Sequence, residues 1–361
     1  SNSTRILGDT LFIKVYRHLR QGCNPELEMG RFLTEVSPYP HIVPLAGALQ
    51  YQGSDDTVVT MALLQGYIEN QGDAWSYTVD YLERFFADVL ISDLVDTSEE
   101  DVNLHSAYLL QIETLGRRTA ELHQALAKPS GDPAFEPEPV NSADLAAWRR
   151  VVARDIRESL KKLKSSLLHL PEALHDDAKR LLEGKERLLE WCKSQPPLSV
   201  ASNKTRYHGD FHLGQVLMVE NDFIIIDFEG EPARTLEERR TKHSPLRDVA
   251  GMLRSFNYAA EFALSESTAE RPLDLARLRP LARRWEQATH DAFMKGYGIA
   301  IEGCSSYPSD EADATALRNL FTLEKALYEL RYELQNRPDW VDVPLSGLVA
   351  LLDSITEQSD A

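Results

Sequence analysis

The stretch YHGDFHLGQVLMVENDFIIIDFEGEP, from Tyr207 to Pro232, decides the fold of this chain. Within it, two apolar and largely β-branched runs at residues 216–219 and 223–226 are separated by the polar segment Glu220-Asn221-Asp222. Such runs favour strands, and a short polar segment between two strands favours a tight turn. We therefore predict a β-hairpin with an acidic residue near each of its two outer ends.

The register of this hairpin can be predicted by counting residues across the turn. Pairing Val219 with Phe223 leaves three residues in the turn and places Gln215 opposite Asp227. Facing residues on paired strands lie about 5 Å apart. The sequence therefore predicts that these two side chains are close enough to bind one Mg²⁺ ion together.

Asp210 lies in a segment whose spacing is typical of enzymes that transfer phosphoryl groups. It follows His208-Gly209 and precedes Gln215 by five positions, close to the pattern H-x-D-x-x-x-x-N. Asp227-Phe228-Glu229-Gly230 stands where such enzymes carry the metal-binding D-F-G. We expect Asp210 to act as the catalytic base, and Gln215 and Asp227 to bind Mg²⁺. We expect Glu229 to help orient the water ligands of that ion.

A surface hairpin with incidental acidic residues is the alternative interpretation of this stretch. A lone D-F-x-G sequence would be weak support for a catalytic site. Here the motif spacing and the hairpin register agree with each other, and this agreement favours the catalytic interpretation.

The composition is that of an acidic globular chain. Its 361 residues are 43% hydrophobic, and no apolar run approaches the ~20 residues of a membrane span. A formal net charge of −18 repels nucleic-acid phosphates and anionic membrane surfaces, so we expect neither nucleic acid nor membrane as a partner. The 3 cysteines are far apart and lack C-x-x-C spacing, which favours reduced thiols in a cytoplasmic protein over disulfides or a zinc site.

A second hairpin is predicted at the start of the chain, with strands at residues 4–7 and 10–16 around a two-residue turn. Alternation along the second strand puts Lys14 on the same face as Phe12 and Tyr16. A lysine among aromatic residues is expected in a cleft that binds a nucleotide, and we predict that Lys14 contacts the phosphates. The alternative is an ordinary strand lysine in water.

A helix with clear start signals follows this hairpin. Asn24 is a suitable N-cap, and Pro25 suits the first helical position. Kinase-type enzymes pair the strand lysine with a glutamate from this next helix. We expect Glu28 to make that pair, with Glu26 and Glu35 as competitors. A solvated acidic face is the alternative.

The pattern of strands and helices along the chain predicts two lobes. Residues 1–64 form a small β-rich lobe with one helix, and residues 65–361 form a large helical lobe that contains the hairpin at 207–232. This α+β arrangement is that of the protein-kinase-like two-lobed fold. Gln65 and Tyr67 mark the hinge, where the layout places the adenine of a bound nucleotide against the backbone.

A helix predicted at residues 320–334 carries a second candidate site. One of its faces repeats leucine at 3, 4, 3 and 4 spacing, as a buried stripe does. The other face carries Lys325, Tyr328, Glu329 and Tyr332. Aromatic rings cover the apolar faces of sugars and charged groups bind their hydroxyls, so this face suits a sugar pocket. Packing on a neighbouring helix, with an ordinary Lys/Glu bridge, is an equal alternative.

Several segments together resemble the bacterial maltokinases, relatives of the aminoglycoside phosphotransferases in the protein-kinase-like superfamily. They are NPELEMGRFLTE, HGDFHLGQVL, IDFEGEP, SPLRDVAGMLRSF and EKALYELRYELQNRPDW. The resemblance spans nearly the whole chain, from residue 1 to about residue 352. Gln215 differs from the asparagine of most kinase-like enzymes and agrees with maltokinases in particular.

The resemblance implies ATP-dependent phosphorylation of maltose to maltose 1-phosphate for α-glucan synthesis, with ATP and Mg²⁺ as cofactors. It implies that Lys325, Tyr328 and Glu329 contribute to the acceptor pocket, with His212 nearby. Association or fusion with a trehalose synthase-like enzyme is a further expectation. Maltokinases carry an N-terminal cap subdomain and a phosphate-covering loop ahead of the segment that opens this chain, so we expect upstream sequence to be missing.

Two other functions stay open at this point. A kinase for glucosamine or an aminoglycoside needs an acidic pocket for its aminated acceptor, which Glu329 favours and Lys325 opposes. A non-catalytic kinase-like module of a maltose-producing enzyme is favoured by the lack of a glycine-rich loop. Asp210, Gln215 and Asp227 argue against that module, because a chain without activity need not keep a base and both metal ligands.

Overall fold

The computed structural model describes residues 2–92, 105–194, 201–232 and 234–359 of the chain. A small β-sheet with one short helix comes first, and a large, mainly helical part follows. The predicted α+β class is therefore confirmed. Among the helices in the described ranges, none combines the length and the apolar character that crossing a membrane requires.

Four antiparallel strands form the N-terminal sheet in the spatial order β1-β2-β4-β3. They are β1 (Ser3–Leu7), β2 (Leu11–Val15), β3 (Leu45–Gln52) and β4 (Val58–Gly66). The other strands are β5 (Glu138–Pro139), β6 (Asn203–Lys204), β7 (Val216–Val219) and β8 (Asp222–Ile225). The α-helices are α1 (Pro25–Arg31), α2 (Ala74–Ser92), α3 (Ser106–Leu126), α4 (Ser142–Ser166), α5 (His175–Glu183), α6 (Lys185–Ser194), α7 (Leu236–Arg239), α8 (Leu246–Thr268), α9 (Leu275–Ile301), α10 (Glu311–Asn336) and α11 (Asp342–Ser359).

The first hairpin differs from its prediction in the turn. Leu7 pairs with Leu11, which leaves three residues in the turn where two were predicted. Gly8 opens the turn with a φ of 62°, a left-handed conformation that glycine adopts without strain. The predicted orientation of β2 is confirmed, because Lys14 is only 9% exposed and Tyr16, just past the strand, is 8% exposed.

The start signals of α1 are confirmed as well. The Asn24 side chain accepts a hydrogen bond from the Leu27 N–H at 2.9 Å, and Pro25 occupies the first turn. The helix is short and continues into a π-helical turn at Phe32–Val36. Leu27 and Phe32 are buried, so apolar packing holds one face of α1 and of the π-helical turn in place.

The β7–β8 hairpin forms, but its predicted register is wrong by one residue. Val219 pairs with Asp222 rather than Phe223, so the turn contains two residues, and Glu220 takes a left-handed φ of 56°. The cause lies outside the hairpin. Arg118 of α3 binds the Asp222 carboxylate through two hydrogen bonds of 2.8 and 2.6 Å and so fixes this residue at the start of the strand.

The corrected register changes the neighbour of Gln215. This residue faces Ile226, whose N–H donates to the Gln215 carbonyl at 3.0 Å. Asp227 follows with a left-handed φ of 64°, an uncommon conformation for a residue with a side chain. The Gln215 and Asp227 side chains still meet, since Gln215 Nε2 donates to Asp227 Oδ2 at 3.2 Å.

The chain divides into two compact units. The first contains Ser1–Glu138, Asn203–Asp248 and Ala259–Tyr307. The second contains Pro139–Ser202, Val249–Tyr258 and Pro308–Ala361. The predicted lobe boundary between residues 64 and 65 falls inside the first unit, and that boundary stays a prediction.

Two glycines allow α3 and α9 to cross closely within the first unit. A Cβ atom at Gly116 would collide with the backbone carbonyl of Phe293, and one at Gly296 would collide with that of Glu113. Any larger residue at either position would push the two helices apart. This crossing supports the position of His123, which lies two turns further along α3.

Candidate active site

Lys14 lies among three carboxylates, all of them in the first unit. Its Nζ atom is 2.7 Å from Glu26 Oε2, 2.6 Å from Asp227 Oδ1 and 2.7 Å from Glu229 Oε1. Strand β2, helix α1 and the segment after β8 each contribute to this group. We call Lys14, Glu26, Asp227 and Glu229 the Lys14 cluster. This cluster joins three separate parts of the chain at one ammonium group.

The glutamate that pairs with Lys14 is Glu26, and the prediction of Glu28 was wrong. Residues two positions apart on a helix do not face the same way, so only one of the two can point to the sheet. Glu26 does so and is 4% exposed, whereas Glu28 turns away and binds two arginines. Glu35, the other competitor, lies exposed in the π-helical turn. Burial of the first turn of α1 therefore decides the pairing.

Negative charge exceeds positive charge around the Lys14 cluster, because one ammonium faces three carboxylates and the Arg239 guanidinium lies 4.0 Å from one of them, Glu229. Burial raises the pKa of Glu26 to about 7, against the opposing effect of Lys14 and with a further contribution from Asp227. Burial alone would also raise the pKa of Asp227, but its contacts with Lys14 lower it. Burial alone would lower the pKa of Lys14, and the surrounding carboxylates raise it instead. Lys14 therefore stays protonated, and the excess negative charge favours a further cation.

Three members of the cluster have donor atoms that suit a divalent cation. One oxygen from each of Glu26, Asp227 and Glu229 lies within 4.8 Å of the other two. Carboxylate and amide oxygens are the protein ligands that Mg²⁺ prefers, so the donor chemistry and the excess negative charge fit this ion. Gln215 turns its amide nitrogen toward Asp227, so its oxygen would reach a shared ion only after the amide rotates.

A buried aspartate from the start of α8 holds the loop that carries Asp210. Asp248 accepts the N–H groups of His208 and Gly209 at 2.7 and 2.9 Å, and His123 Nε2 lies 3.2 Å from the same carboxylate. Burial alone would raise the pKa of Asp248, but the hydrogen bonds from His123 and from the Gly209 N–H lower it. Asp210 thus belongs to a loop whose backbone is fixed by a buried negative charge.

His208 connects this loop to the end of β8. Its Nε2 lies 2.8 Å from the Ile226 carbonyl, and its Nδ1 accepts the Asp210 N–H at 3.3 Å. A neutral imidazole with its proton on Nε2 satisfies both contacts. Because Ile226 immediately precedes Asp227, this one side chain fixes the backbone of both aspartates relative to each other.

Two cavities within the first unit open beside the Lys14 cluster. The hinge cavity, of about 260 Å³, is lined by residues that include Phe12, Lys14, Gln65 and Tyr67. The Asp210 cavity, of about 310 Å³, is lined by residues that include Asp210, Glu229 and Arg239. Gln215 and Asp227 line both cavities, so a group that passes from one cavity to the other meets these two side chains.

The hinge cavity includes both residues predicted to lie against adenine, Gln65 and Tyr67. Two of the backbone donors there already have acceptors. The Gly66 N–H donates to the Pro44 carbonyl at 2.9 Å, and the Tyr67 N–H donates to the Thr10 carbonyl at 2.8 Å. Recognition of a base at this hinge must therefore use other polar groups of the segment, while the aromatic and aliphatic lining provides a surface for a flat ring.

His212, predicted to lie near the acceptor, has a local structural contact. Its Nδ1 accepts the Gly214 N–H at 3.1 Å and thereby caps the short 3₁₀ helix Leu213–Gln215. It is not one of the residues that line the two cavities. The cap sets the direction in which the chain enters Gln215, and a contact between His212 and a sugar stays a prediction.

The four residues of the predicted sugar pocket lie on α10, in the second unit. The Glu329 carboxylate binds Arg254 Nε and Nη2, each at 2.8 Å, and Glu329 is 8% exposed. Lys325 Nζ lies 5.3 Å from the centre of the Tyr328 ring, which stacks on Tyr332. Glu329 thus has a buried ion-pair partner that the sequence did not predict. The role of these four residues in binding a sugar stays a prediction.

Arg239, which lies 10 residues after Glu229, was not predicted from the sequence. Its guanidinium donates to the carbonyl groups of Glu229, Pro232 and Arg234, at 3.3, 2.7 and 3.1 Å. These bonds close the segment after Asp227 into a fixed turn that lines the Asp210 cavity. The sequence shows only a charged run at residues 234–243, in which no single arginine stands out.

A lysine on the N-terminal sheet, a glutamate from the next helix and two aspartates around a hairpin are the parts of a kinase-type phosphotransferase site. The chain belongs to the phosphotransferase enzyme family known as APH, whose profile matches residues 1–281. A glucosamine kinase of Mycolicibacterium smegmatis is 26% identical over 359 residues, which is 99% of this chain and 78% of that relative. A glucosamine kinase of Streptacidiphilus jiangxiensis is 23% identical over 294 residues, which is 81% of this chain and 58% of that relative.

Solved structures of similar proteins agree with the predicted kinase-like fold. A glucosamine kinase crystal structure matches with a TM-score of 0.72 at 23% identity, covering 97% of this chain and 76% of that chain. A glucosamine kinase in complex with glucosamine, ADP and inorganic phosphate matches with a TM-score of 0.72 at 22% identity and the same coverage. At this identity the likeness establishes the fold, and these relatives carry the name glucosamine kinase rather than maltokinase.

Proposed function

We propose that this protein transfers a phosphoryl group from ATP to a hydroxyl group of a small sugar, with glucosamine as the first candidate acceptor. One observation carries the proposal. Gln215 and Asp227 line both the hinge cavity beside Lys14 and the Asp210 cavity. A nucleotide in the first cavity and a sugar in the second would meet at these two side chains, which is the arrangement that a direct transfer requires.

The nucleotide would occupy the hinge cavity with its phosphates toward Lys14. Because this ammonium stays protonated, phosphate oxygens can replace Asp227 and Glu229 as its partners. Those two carboxylates, with Gln215 after rotation of its amide, would hold Mg²⁺. The ion would neutralise charge on the phosphates, as in other enzymes that transfer phosphoryl groups.

Asp210 would act on the acceptor in the second cavity. Its carboxylate would accept a hydrogen bond from the sugar hydroxyl, orient the oxygen toward the phosphoryl group and take the proton as the new bond forms. Asp248 and His208 hold the backbone of this loop through hydrogen bonds of 2.7 to 3.3 Å. The base is thus held in place before the acceptor arrives, which is the main contribution a protein makes to this chemistry.

Two observations favour glucosamine over a neutral sugar. Relatives that match most of this chain carry the name glucosamine kinase. Independently, three carboxylates line the Asp210 cavity, those of Asp210, Asp227 and Glu229. A neutral sugar could donate hydroxyl hydrogen bonds to these carboxylates, but an acceptor with an ammonium group would add a favourable interaction between opposite charges.

Maltose is the second candidate acceptor, and the sequence segments that resemble maltokinases favour it. The aromatic and charged face of α10, with Lys325 and Tyr328, is the part of the chain that this alternative would use. Association with a trehalose synthase-like enzyme and a place in α-glucan synthesis would follow only if maltose is the acceptor.

An acceptor panel tests the proposal. ADP release from Mg²⁺-ATP should be measured with glucosamine, N-acetylglucosamine, glucose, maltose and an aminoglycoside, and the phosphorylated position should be identified by NMR. We expect the highest kcat/KM with glucosamine and a large loss with N-acetylglucosamine, which lacks the ammonium group but keeps the ring. A preference for maltose would replace the first candidate by the second. No ADP release with any of these acceptors would contradict the proposed activity.

Substitution of the proposed base tests the assignment of Asp210. Asp210→Asn keeps the size and the hydrogen-bonding loop but cannot accept the proton, so we expect kcat to fall by about 10²–10⁴. Affinity for Mg²⁺-ADP, measured by calorimetry, should stay the same because Asp210 does not line the hinge cavity. A variant with wild-type turnover would show that another group takes the proton.

A further inference from the structure

Glu28, which does not pair with Lys14, lies between two arginines that are distant in sequence. Its Oε2 accepts hydrogen bonds from Arg206 Nη1 at 2.6 Å and Arg240 Nε at 2.9 Å, and its Oε1 accepts one from Arg240 Nη2 at 2.7 Å. Burial alone would raise the pKa of Glu28, but the two guanidinium groups lower it. We call Glu28, Arg206 and Arg240 the Glu28 cluster.

The first arginine ties the cluster to the loop that carries the proposed base. Arg206 is two residues before His208, and its side chain is 2% exposed. Its guanidinium lies 5.0 Å from the centre of the Phe135 ring, and that ring stacks on Phe32 at the end of the α1 segment, 3.9 Å between centres. Among the described residues, Glu28 is the acid that forms an ion pair with this buried cation.

The second arginine ties the cluster to the segment that follows Asp227. Arg240 directly follows Arg239, whose hydrogen bonds to the carbonyl groups of Glu229, Pro232 and Arg234 hold the part of the chain that we call the Glu229 turn. That turn carries Glu229, one of the carboxylates around Lys14. A single carboxylate therefore binds one arginine that leads into the Asp210 loop and another that adjoins Arg239, which holds the Glu229 turn.

The position of Glu28 on α1 adds a third connection. Glu26, two residues earlier on the same short helix, holds Lys14 at 2.7 Å. Buried Leu27 and Met29 hold one face of this 7-residue helix and the ion pairs of Glu28 hold another, so both sets of contacts fix the rotation that points Glu26 at Lys14. Loss of the Glu28 contacts would let α1 rotate or shift, and Glu26 would move with it.

We propose that Glu28 is a positioning residue for the phosphoryl transfer. Its carboxylate aligns α1, the Asp210 loop and the Glu229 turn, so that Lys14 and Asp210 face the same reacting group. The expected change in kcat rests on the proposed function, whereas the expected alignment of the three segments does not. Displacements of about 1 Å in such an arrangement can cost about 10²-fold in rate.

Two substitutions of Glu28 test this role against a matched control. Glu28→Gln keeps the shape but offers one acceptor oxygen in place of two and no charge. We expect kcat to fall by about 10-fold to 100-fold with the KM for glucosamine unchanged. Glu28→Asp keeps the charge and should recover part of that loss. Glu35→Gln removes the same charge from an exposed position in the next turn and should behave as the wild type.

Hydrogen exchange gives a readout that does not depend on activity. In Glu28→Gln, amide exchange should become faster together in peptides that cover residues 25–31, 206–210 and 229–240. Exchange in the β7–β8 hairpin and in the Glu35→Gln variant should not change. If the wild type proves inactive with every sugar, the proposed function fails while this structural test still decides the role of Glu28.

The outcomes separate positioning from a general effect on stability. A loss of kcat larger than the loss of folded protein, with partial rescue by Glu28→Asp, supports the inference. Wild-type kcat in Glu28→Gln overturns the inference, and so does faster exchange limited to α1.

If Glu28→Gln does not fold, Arg240→Gln replaces that variant, because this change leaves the buried Arg206 pair intact and removes only the link to the Glu229 turn. Unchanged kcat and exchange in that variant would also overturn the inference.

Discussion

The Lys14 cluster and the Glu28 cluster are built from the same helix with opposite charge ratios. Around Lys14, one ammonium faces Glu26, Asp227 and Glu229. Around Glu28, one carboxylate faces two guanidinium groups. Glu26 belongs to the first cluster and Glu28 to the second. The two glutamates are only two residues apart on α1, so a rotation of this helix would affect both clusters at once.

The difference between the clusters indicates which of them can bind a ligand. The excess negative charge at Lys14 is partly buried and borders two cavities, so it can be balanced by a cation that arrives with a nucleotide. None of Glu28, Arg206 and Arg240 lines either of these two cavities, and the partly exposed Arg240 side chain leaves its share of the excess positive charge to water. The first cluster has the properties of a binding site and the second those of a structural joint.

Among the predictions that compare the two clusters, the largest effect is expected from removing one carboxylate of the Lys14 cluster. Asp227→Asn keeps the left-handed backbone, which asparagine tolerates, but weakens the proposed metal ligand. We expect kcat to fall by about 10²–10³, the size of losses when a charge-stabilising group is removed from a reaction centre. Mg²⁺ should also cease to strengthen ADP binding, as measured by calorimetry with and without the ion.

Glu220→Gln is the matched control for Asp227→Asn. It removes one negative charge from the same hairpin, at an exposed turn residue that also has a left-handed φ. This variant should keep wild-type activity and the wild-type Mg²⁺ dependence. Equal Mg²⁺ dependence in Asp227→Asn and the wild type would mean that the ion binds elsewhere.

The next effect concerns stability as a function of pH. The pKa of Glu26 is about 7 in the folded protein, above the ordinary value of 4.5, so folding favours its protonated form. Its contribution to stability is complete below pH 4.5 and is lost as the pH rises through 7. The shift corresponds to about 3 kcal/mol of unfolding free energy.

Urea unfolding of the wild type and Glu26→Gln, without Mg²⁺ and with a chelator, measures this contribution. The free energy of unfolding of the wild type should fall relative to that of the variant between pH 4.5 and pH 8. A difference that does not change with pH would show that the carboxyl group of Glu26 stays ionised in the fold. Mg²⁺ added at the higher pH should stabilise the wild type by balancing the charge.

The smallest expected effect tests the charge of the Glu28 cluster. Burial first, and then the nearby Glu28 carboxylate, raise the pKa of the Cys23 thiol, which is exposed enough to react. In Glu28→Gln the pKa should fall, and alkylation by iodoacetamide at neutral pH should become a few-fold faster because the thiolate is the reactive form. Mass spectrometry of the Cys23 peptide, with the Cys304 peptide as an internal reference, measures the rate. Equal rates in both proteins would argue that Glu28 does not influence this thiol.

The elements of the fold could be predicted because their signals are local. An N-cap and a proline mark the start of α1, and alternation along β2 gives the inward direction of Lys14. The register of the β7–β8 hairpin could not be predicted, because it depends on the bond between Asp222 and Arg118, 104 residues apart. A count across the turn contains no information about a helix so distant in the chain.

The candidate site shows the same division between local and distant causes. Motif spacing was enough to predict that Asp210, Gln215 and Asp227 lie near one another, and these residues line adjoining cavities. The choice between Glu26 and Glu28 was not accessible, because the partners of Glu28 lie 178 and 212 residues further along the chain. A helical pattern shows that acidic residues are present, but only the folded chain shows which of them meets a cation.

The hydrogen bonds from His208 and Gly209 to Asp248 have a consequence for ligand discovery. Both bonds are made entirely within the protein, so the conformational entropy of the loop that carries Asp210 is lost on folding rather than on binding. Small fragments should therefore meet a surface close to the one that a substrate meets. Screening the free protein for weak amino-sugar fragments can then report the shape of the reacting state.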